Sequence, residues 1–79
     1  MTTVNQHDAF LQECFHAVDG STEEREDLHT VGLLLGYQEH TSDVLGAELA
    51  ADSLLTLHAP HAYQLTEKGR QHVFETLSP

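Results

Sequence analysis

Seven of the 79 residues are histidine, and two of them, His58 and His61, are separated only by Ala59-Pro60. Imidazole is a common metal ligand, and it changes charge within the physiological pH range. A metal site needs three or four ligands converging in fixed geometry. His58 and His61 flank a turn, and Cys14 with His16 makes a second short pair. Neither spacing matches a zinc pattern, so no metal and no cofactor is expected. Protonating all seven imidazoles would lower the net charge from −10 to about −3, near pH 6.5.

Other chemistries find less support. Cys14 falls on the apolar side of its helix with no cation beside it, as a small core residue would. Asp27 and His29, read as two apart on one helix, point in different directions and make a poor acid–base pair. Ser21, Ser42, Ser53, Thr41 and Thr66 read as helix caps or loop residues. The chain has no glycine-rich phosphate loop and no pair of catalytic carboxylates. It is therefore expected not to be an enzyme.

The dominant feature is acid. Thirteen Asp and Glu oppose three Lys and Arg. The charge is −3 over residues 1–20, −3 over 21–38, −4 over 39–52 and zero over 53–79. Such a field repels nucleic acid and anionic membrane and attracts basic surfaces. Glu23, Glu24, Glu26 and Asp27, joined with Glu39, Asp43, Glu48 and Asp52, are the candidate partner-binding residues. Carboxylates spaced over a rigid helical surface can imitate a phosphate backbone and occupy a basic groove. The plainer reading is a solvated surface that serves solubility, salt adaptation or the helix dipole.

These residues need elements to position them, and 79 residues allow one domain, 1–79, with a thin core. Phe10, Leu11, Cys14, Phe15 and Val18 recur at helical steps, predicting a helix over about Asn5 to Val18 that stops at Gly20. Ser21 with Glu24 resembles a capping box, predicting a second helix over about Thr22 to Leu35 with Leu28, Val31, Leu34 and Leu35 inward. Gly32 inside it suggests close approach by another helix. A third helix, about Thr41 to Ala51, would face Val44, Leu45 and Leu49 inward. Leu55, Leu57, Tyr63 and Leu65 alternate across a turn as two short strands do. Thr66 then caps a last helix, about Glu67 to Leu77, with Val73, Phe74 and Leu77 inward. The expected fold is mostly α with a small β-hairpin, in the order helix, helix, helix, hairpin, helix.

That order, with the string Ala62-Tyr63-Gln64-Leu65-Thr66-Glu67-Lys68-Gly69-Arg70, resembles the winged-helix superfamily. Many bacterial winged-helix regulators end the second wing strand and open the next helix with a phrase of the form Tyr-x-Leu-Thr-x-x-Gly-Arg. Gly32, Leu35, Gly36 and Tyr37 also resemble the centre of a helix-turn-helix, which gives the third helix the place of a recognition helix. The resemblance implies DNA binding, and the residues oppose it. From Gln38 to Leu65 there is no Lys or Arg to meet phosphates or base edges.

The expectation is a winged-helix-like interaction module that binds a basic protein, of the kind that itself binds nucleic acid, and modulates or inhibits it. DNA mimics and phage-type inhibitors such as anti-CRISPR proteins have this character. One alternative is a dimeric DNA-binding transcription regulator using His58, His61, Lys68 and Arg70 on phosphates. Another is a small subunit of a larger complex. A homodimer is plausible on size alone. With one cysteine, no secretion signal and no apolar run near the ~20 residues that span a bilayer, the expected compartment is the cytoplasm.

Overall fold

The computed structural model describes residues 5–77. Helix α1 spans Gln6–Ala17, started by the Asn5 side chain, which accepts the Asp8 N–H at 2.8 Å. Its buried residues are Phe10, Leu11, Cys14 and Phe15, the apolar stripe of the sequence. Strand β1 spans Arg25–Asp27, helix α2 Leu28–Leu34 and helix α3 Glu39–Ala51. Strands β2, Leu55–His58, and β3, Ala62–Leu65, follow, joined through a cis Ala59–Pro60 peptide. Helix α4, Glu67–His72, runs on into a π-helical turn, Val73–Leu77. The fold is mostly helical, with one small antiparallel sheet of order β1-β3-β2.

The main departure from expectation lies between Thr22 and Asp27. No helix starts at Thr22. The Ser21 hydroxyl accepts the N–H groups of Glu23 and Glu24 at 3.1 and 3.2 Å, a local turn with no helix behind it. The chain then extends as β1, pairing Arg25, Glu26 and Asp27 with Gln64, Tyr63 and Ala62. Ladder bonds to the central strand replace the intrahelical ones that the capping pattern promised. Asp27 is the true cap, its carboxylate accepting from His29 N–H at 2.7 Å and Thr30 N–H at 3.4 Å. Glu23, Glu24 and Glu26 therefore do not serve a helix dipole.

Smaller corrections share one cause: a thin core covers fewer apolar residues than periodicity nominates. Leu34 is 66% exposed and its neighbour Leu33 is 75% exposed, because α2 ends there. Val44 and Phe74 are half exposed. Of the expected inward pair on β2, Leu55 is buried, whereas Leu57 is exposed on this edge strand. Thr41 and Ser42 do not cap α3; Gln38 holds that position without a side-chain bond.

Ser42 does something else. It is fully buried, and it sits where a Cβ on Gly32 would be. A hydrogen atom at Gly32 lets α2 and α3 approach side by side, as the sequence suggested. Gly36 closes the end of α2 at φ +76°, and the Tyr37 N–H returns to the Gly32 carbonyl at 2.8 Å.

Phe10, Leu11, Cys14, Val31, Tyr63 and Val73 are fully buried and join α1, α2, β3 and the π-helical turn in one cluster. The Tyr63 hydroxyl satisfies itself there by donating to the Cys14 carbonyl at 2.8 Å. No described helix is long and apolar enough to cross a membrane.

Candidate functional site

Helix α3 buries Ser42, Leu45, Gly46 and Leu49. At about 100° per residue, its opposite side presents His40, Val44, Ala47 and Ala51, all exposed. Glu39 and Asp43 lie along one flank of that ridge, and Glu48 and Asp52 along the other. The three carboxylates on α3 and that of its C-cap Asp52 thus border a strip that is apolar from Val44 to Ala51, with His40 at its start, instead of forming one continuous anionic face.

Two of them are held from other elements. Glu48 Oε1 lies 2.6 Å from His7 Nε2 of α1. Asp43 Oδ1 lies 2.8 Å from His29 Nε2 of α2. Glu39 Oε2 stands 3.7 Å from His29 Nδ1. Glu23 and Glu24 are exposed ahead of β1, Glu26 is half-buried, and its carboxylate turns back to accept the Asp27 N–H at 3.0 Å. The eight acidic candidates therefore do not converge on one spot.

The cations do not form a surface either. Lys68 Nζ donates to the Asp52 carbonyl at 2.9 Å. Arg70 donates to Glu67 at 3.2 Å and lies over the Phe74 ring, 5.0 Å from its centroid. Arg25 is exposed on β1 among Glu23, Glu24 and Glu26. His58 and His61 part company at the hairpin. His58 Nε2 is 2.9 Å from Gln64 Oε1, whereas His61 turns to α2.

There His61 meets residues that the sequence set aside. Its ring stacks on His29 with centroids 4.1 Å apart and planes 18° apart. Its Nδ1 is 3.0 Å from Asp27 Oδ2, although the atom is enclosed and makes no aligned hydrogen bond. Asp27 and His29 lie close together because Asp27 precedes the helix and caps its start, but the bond between them runs to the His29 backbone N–H, while the imidazole pairs with Asp43. The backbone sets this meeting. Asp27 pairs with Ala62, and the Leu28 N–H donates to the His61 carbonyl at 2.9 Å. No local spacing signals it, since the register of β1 on β3 makes the contact.

The electrostatics follow. Burial pushes the Asp27 carboxyl up, but the His29 N–H, the adjacent His61 and the Thr30 N–H outweigh it and hold the group below its ordinary value. The hydrogen bond that His29 donates to Asp43 lifts the imidazole above its ordinary value against desolvation, with the charges of Asp43, Glu39 and Asp27 adding. Burial pushes the Cys14 thiol strongly up, which keeps it protonated. Two open grooves meet at His61: one of about 340 Å³ toward Leu57 and Pro60, and one of about 290 Å³ toward Leu33 and Tyr37.

Comparison of the chain with protein-family models, with curated proteins and with solved structures found no match.

Proposed function

We propose that this chain is a winged-helix-like, non-enzymatic interaction module whose α3 surface docks on a basic protein and modulates or inhibits it. The order helix, strand, helix, helix, hairpin, helix suits that architecture, with β1 pairing on the hairpin. So does the Tyr63-to-Arg70 phrase: Tyr63 and Leu65 are buried, Thr66 caps α4 by accepting the Gly69 N–H at 2.9 Å, and Gly69 packs on the Leu54 carbonyl.

The observation that carries the reading is the make-up of α3. Helix α3, which the proposed architecture would make the recognition helix, offers Val44, Ala47 and Ala51 between two rows of carboxylates, with no Lys or Arg. An apolar centre inside a charged rim is the anatomy of a protein contact. The rim supplies steering and selectivity toward a basic partner. DNA binding lacks the counterpart, since Lys68 and Arg70 already serve Asp52 and Glu67.

Affinity capture from the native cell tests this, using wild type, Val44→Asp and the triple variant Asp43→Asn, Glu48→Gln, Asp52→Asn. The expected result is a basic partner lost with Val44→Asp and weakened, with a flatter salt dependence, in the triple variant. Unchanged capture in both would sink the proposal. So would tight, salt-sensitive binding of wild type to genomic DNA fragments in a gel shift.

A further inference from the structure

We propose that Asp27, His29 and His61, beside the Glu39–Asp43 flank of α3, form a binding site for a divalent transition-metal ion of the zinc class. One candidate donor atom from each residue lies within 4.8 Å of the other two. The surrounding bonds leave suitable lone pairs. His29 Nε2 lies 2.8 Å from Asp43 Oδ1, so the neutral ring keeps its proton there and leaves Nδ1 open. A ligating imidazole commonly gives its other N–H to a carboxylate, which fixes tautomer and ring orientation. Asp43 stands in that position.

Asp27 is similarly divided. Its Oδ1 is fixed by the N–H groups of His29 and Thr30, while Oδ2 faces His61. His61 Nδ1 is the enclosed atom without an aligned hydrogen bond, 3.0 Å from that oxygen. An ion between them would give this nitrogen a partner. Glu39 Oε2, 3.7 Å from His29 Nδ1, is within reach as a fourth donor.

Two imidazoles and one or two carboxylates suit zinc and its neighbours, and they are too nitrogen-rich for magnesium or calcium. Bonds of 2.0–2.1 Å in a tetrahedron place donors about 3.3 Å apart. The stacked rings must therefore close and turn out of parallel, because lone pairs of parallel imidazoles run side by side. Side-chain rotation would bring this about: His29 and His61 are 19% and 35% exposed, His61 lines both grooves and His29 lines the second. The bound ion would pin the hairpin turn to the start of α2.

The test is calorimetric titration of Zn²⁺ into the full chain at neutral pH, beside His29→Gln, His61→Gln and Asp43→Asn. His7→Gln and His72→Gln serve as controls, since His7 and His72 face Glu48 and Asp8 away from the cluster. The expected result is one ion per chain, with affinity lowered about tenfold or more in the first three variants and held within about twofold in the controls. A second readout needs no variant: on Zn²⁺ addition, the side-chain ¹⁵N resonances of His29 and His61 should move while those of His7 and His72 stay. Unfolding midpoints in chelator establish that each variant folds. Affinity unchanged in His29→Gln and His61→Gln, or lowered equally in all the histidine variants, would overturn the proposal in favour of diffuse attraction to an acidic surface.

Discussion

The hydroxyl of Tyr63, on the central strand, donates a 2.8 Å hydrogen bond to the carbonyl oxygen of Cys14, on the first helix. Both residues are fully buried. The bond locks the hairpin onto α1, and it satisfies the one polar atom that Tyr63 brings into the core. Tyr63→Phe should cost about 0.5–1.5 kcal/mol, the net worth of one such bond. Tyr63→Ala should cost about 3–5 kcal/mol, as for other large aromatic truncations. Urea denaturation of the three proteins checks both values.

Cys14 should be silent in the folded chain. It is completely buried, and burial holds the thiol protonated well above the ordinary range. Labelling by iodoacetamide should proceed only through opening, at a rate that rises with urea in step with the unfolded fraction. Rapid native labelling would show that α1 is not docked as described.

Gly32→Ala should destabilise by about 1–3 kcal/mol, because the added methyl has to displace Ser42 from a packed helix contact. Combining it with Ser42→Gly should recover part of the loss, giving a favourable coupling in a double-mutant cycle. Gly36→Ala faces open space, so its cost should come from the left-handed backbone alone, at about 1 kcal/mol.

Acidity should act through Asp27 and His29 with opposite signs. His29 binds its proton more tightly when folded, so its contribution is complete below its ordinary 6.5 and fades as pH rises through the elevated value. Asp27 holds its proton less tightly when folded, so its contribution is complete above its ordinary 3.8 and fades as pH falls through the depressed value. Between those two ordinary values both act fully. In chelator, the stability gap between wild type and His29→Gln should shrink as pH rises from about 5 to 9, read by urea unfolding at each pH.

Exposed pairs should matter little. His7 and Glu48 are about half exposed, so Glu48→Gln should change stability by under about 1 kcal/mol. Asp27→Ala should cost about 0.5–2 kcal/mol, since it removes a cap that holds two backbone N–H groups. Thermal melts of the two variants separate these outcomes.

Much of the helical frame was legible along the chain because helices are local. The recurrence of Phe10, Leu11, Cys14 and Phe15 specified α1, and Thr66 announced α4. Gly32 signalled the close approach of α3. The same locality misled at Ser21, where a capping pattern with acid behind it read as a helix start. Whether residues 22–27 coil or extend depends on a partner strand far along the chain, and β3 won.

The candidate site divides in the same way. Net charge, the absence of Lys and Arg from Gln38 to Leu65, and the lone cysteine were settled by composition. That the carboxylates of α3 border an apolar ridge emerged once burial fixed which side of the helix faces inward. Asp27 and His29 meet through a local helix cap, but the arrival of His61 beside them belongs to tertiary structure. Antiparallel pairing of β1 with β3 carries the hairpin turn to the start of α2. Sequence sets what each residue can bind, but strand register and helix packing set which residues share a neighbourhood, because those contacts join positions with no local relation.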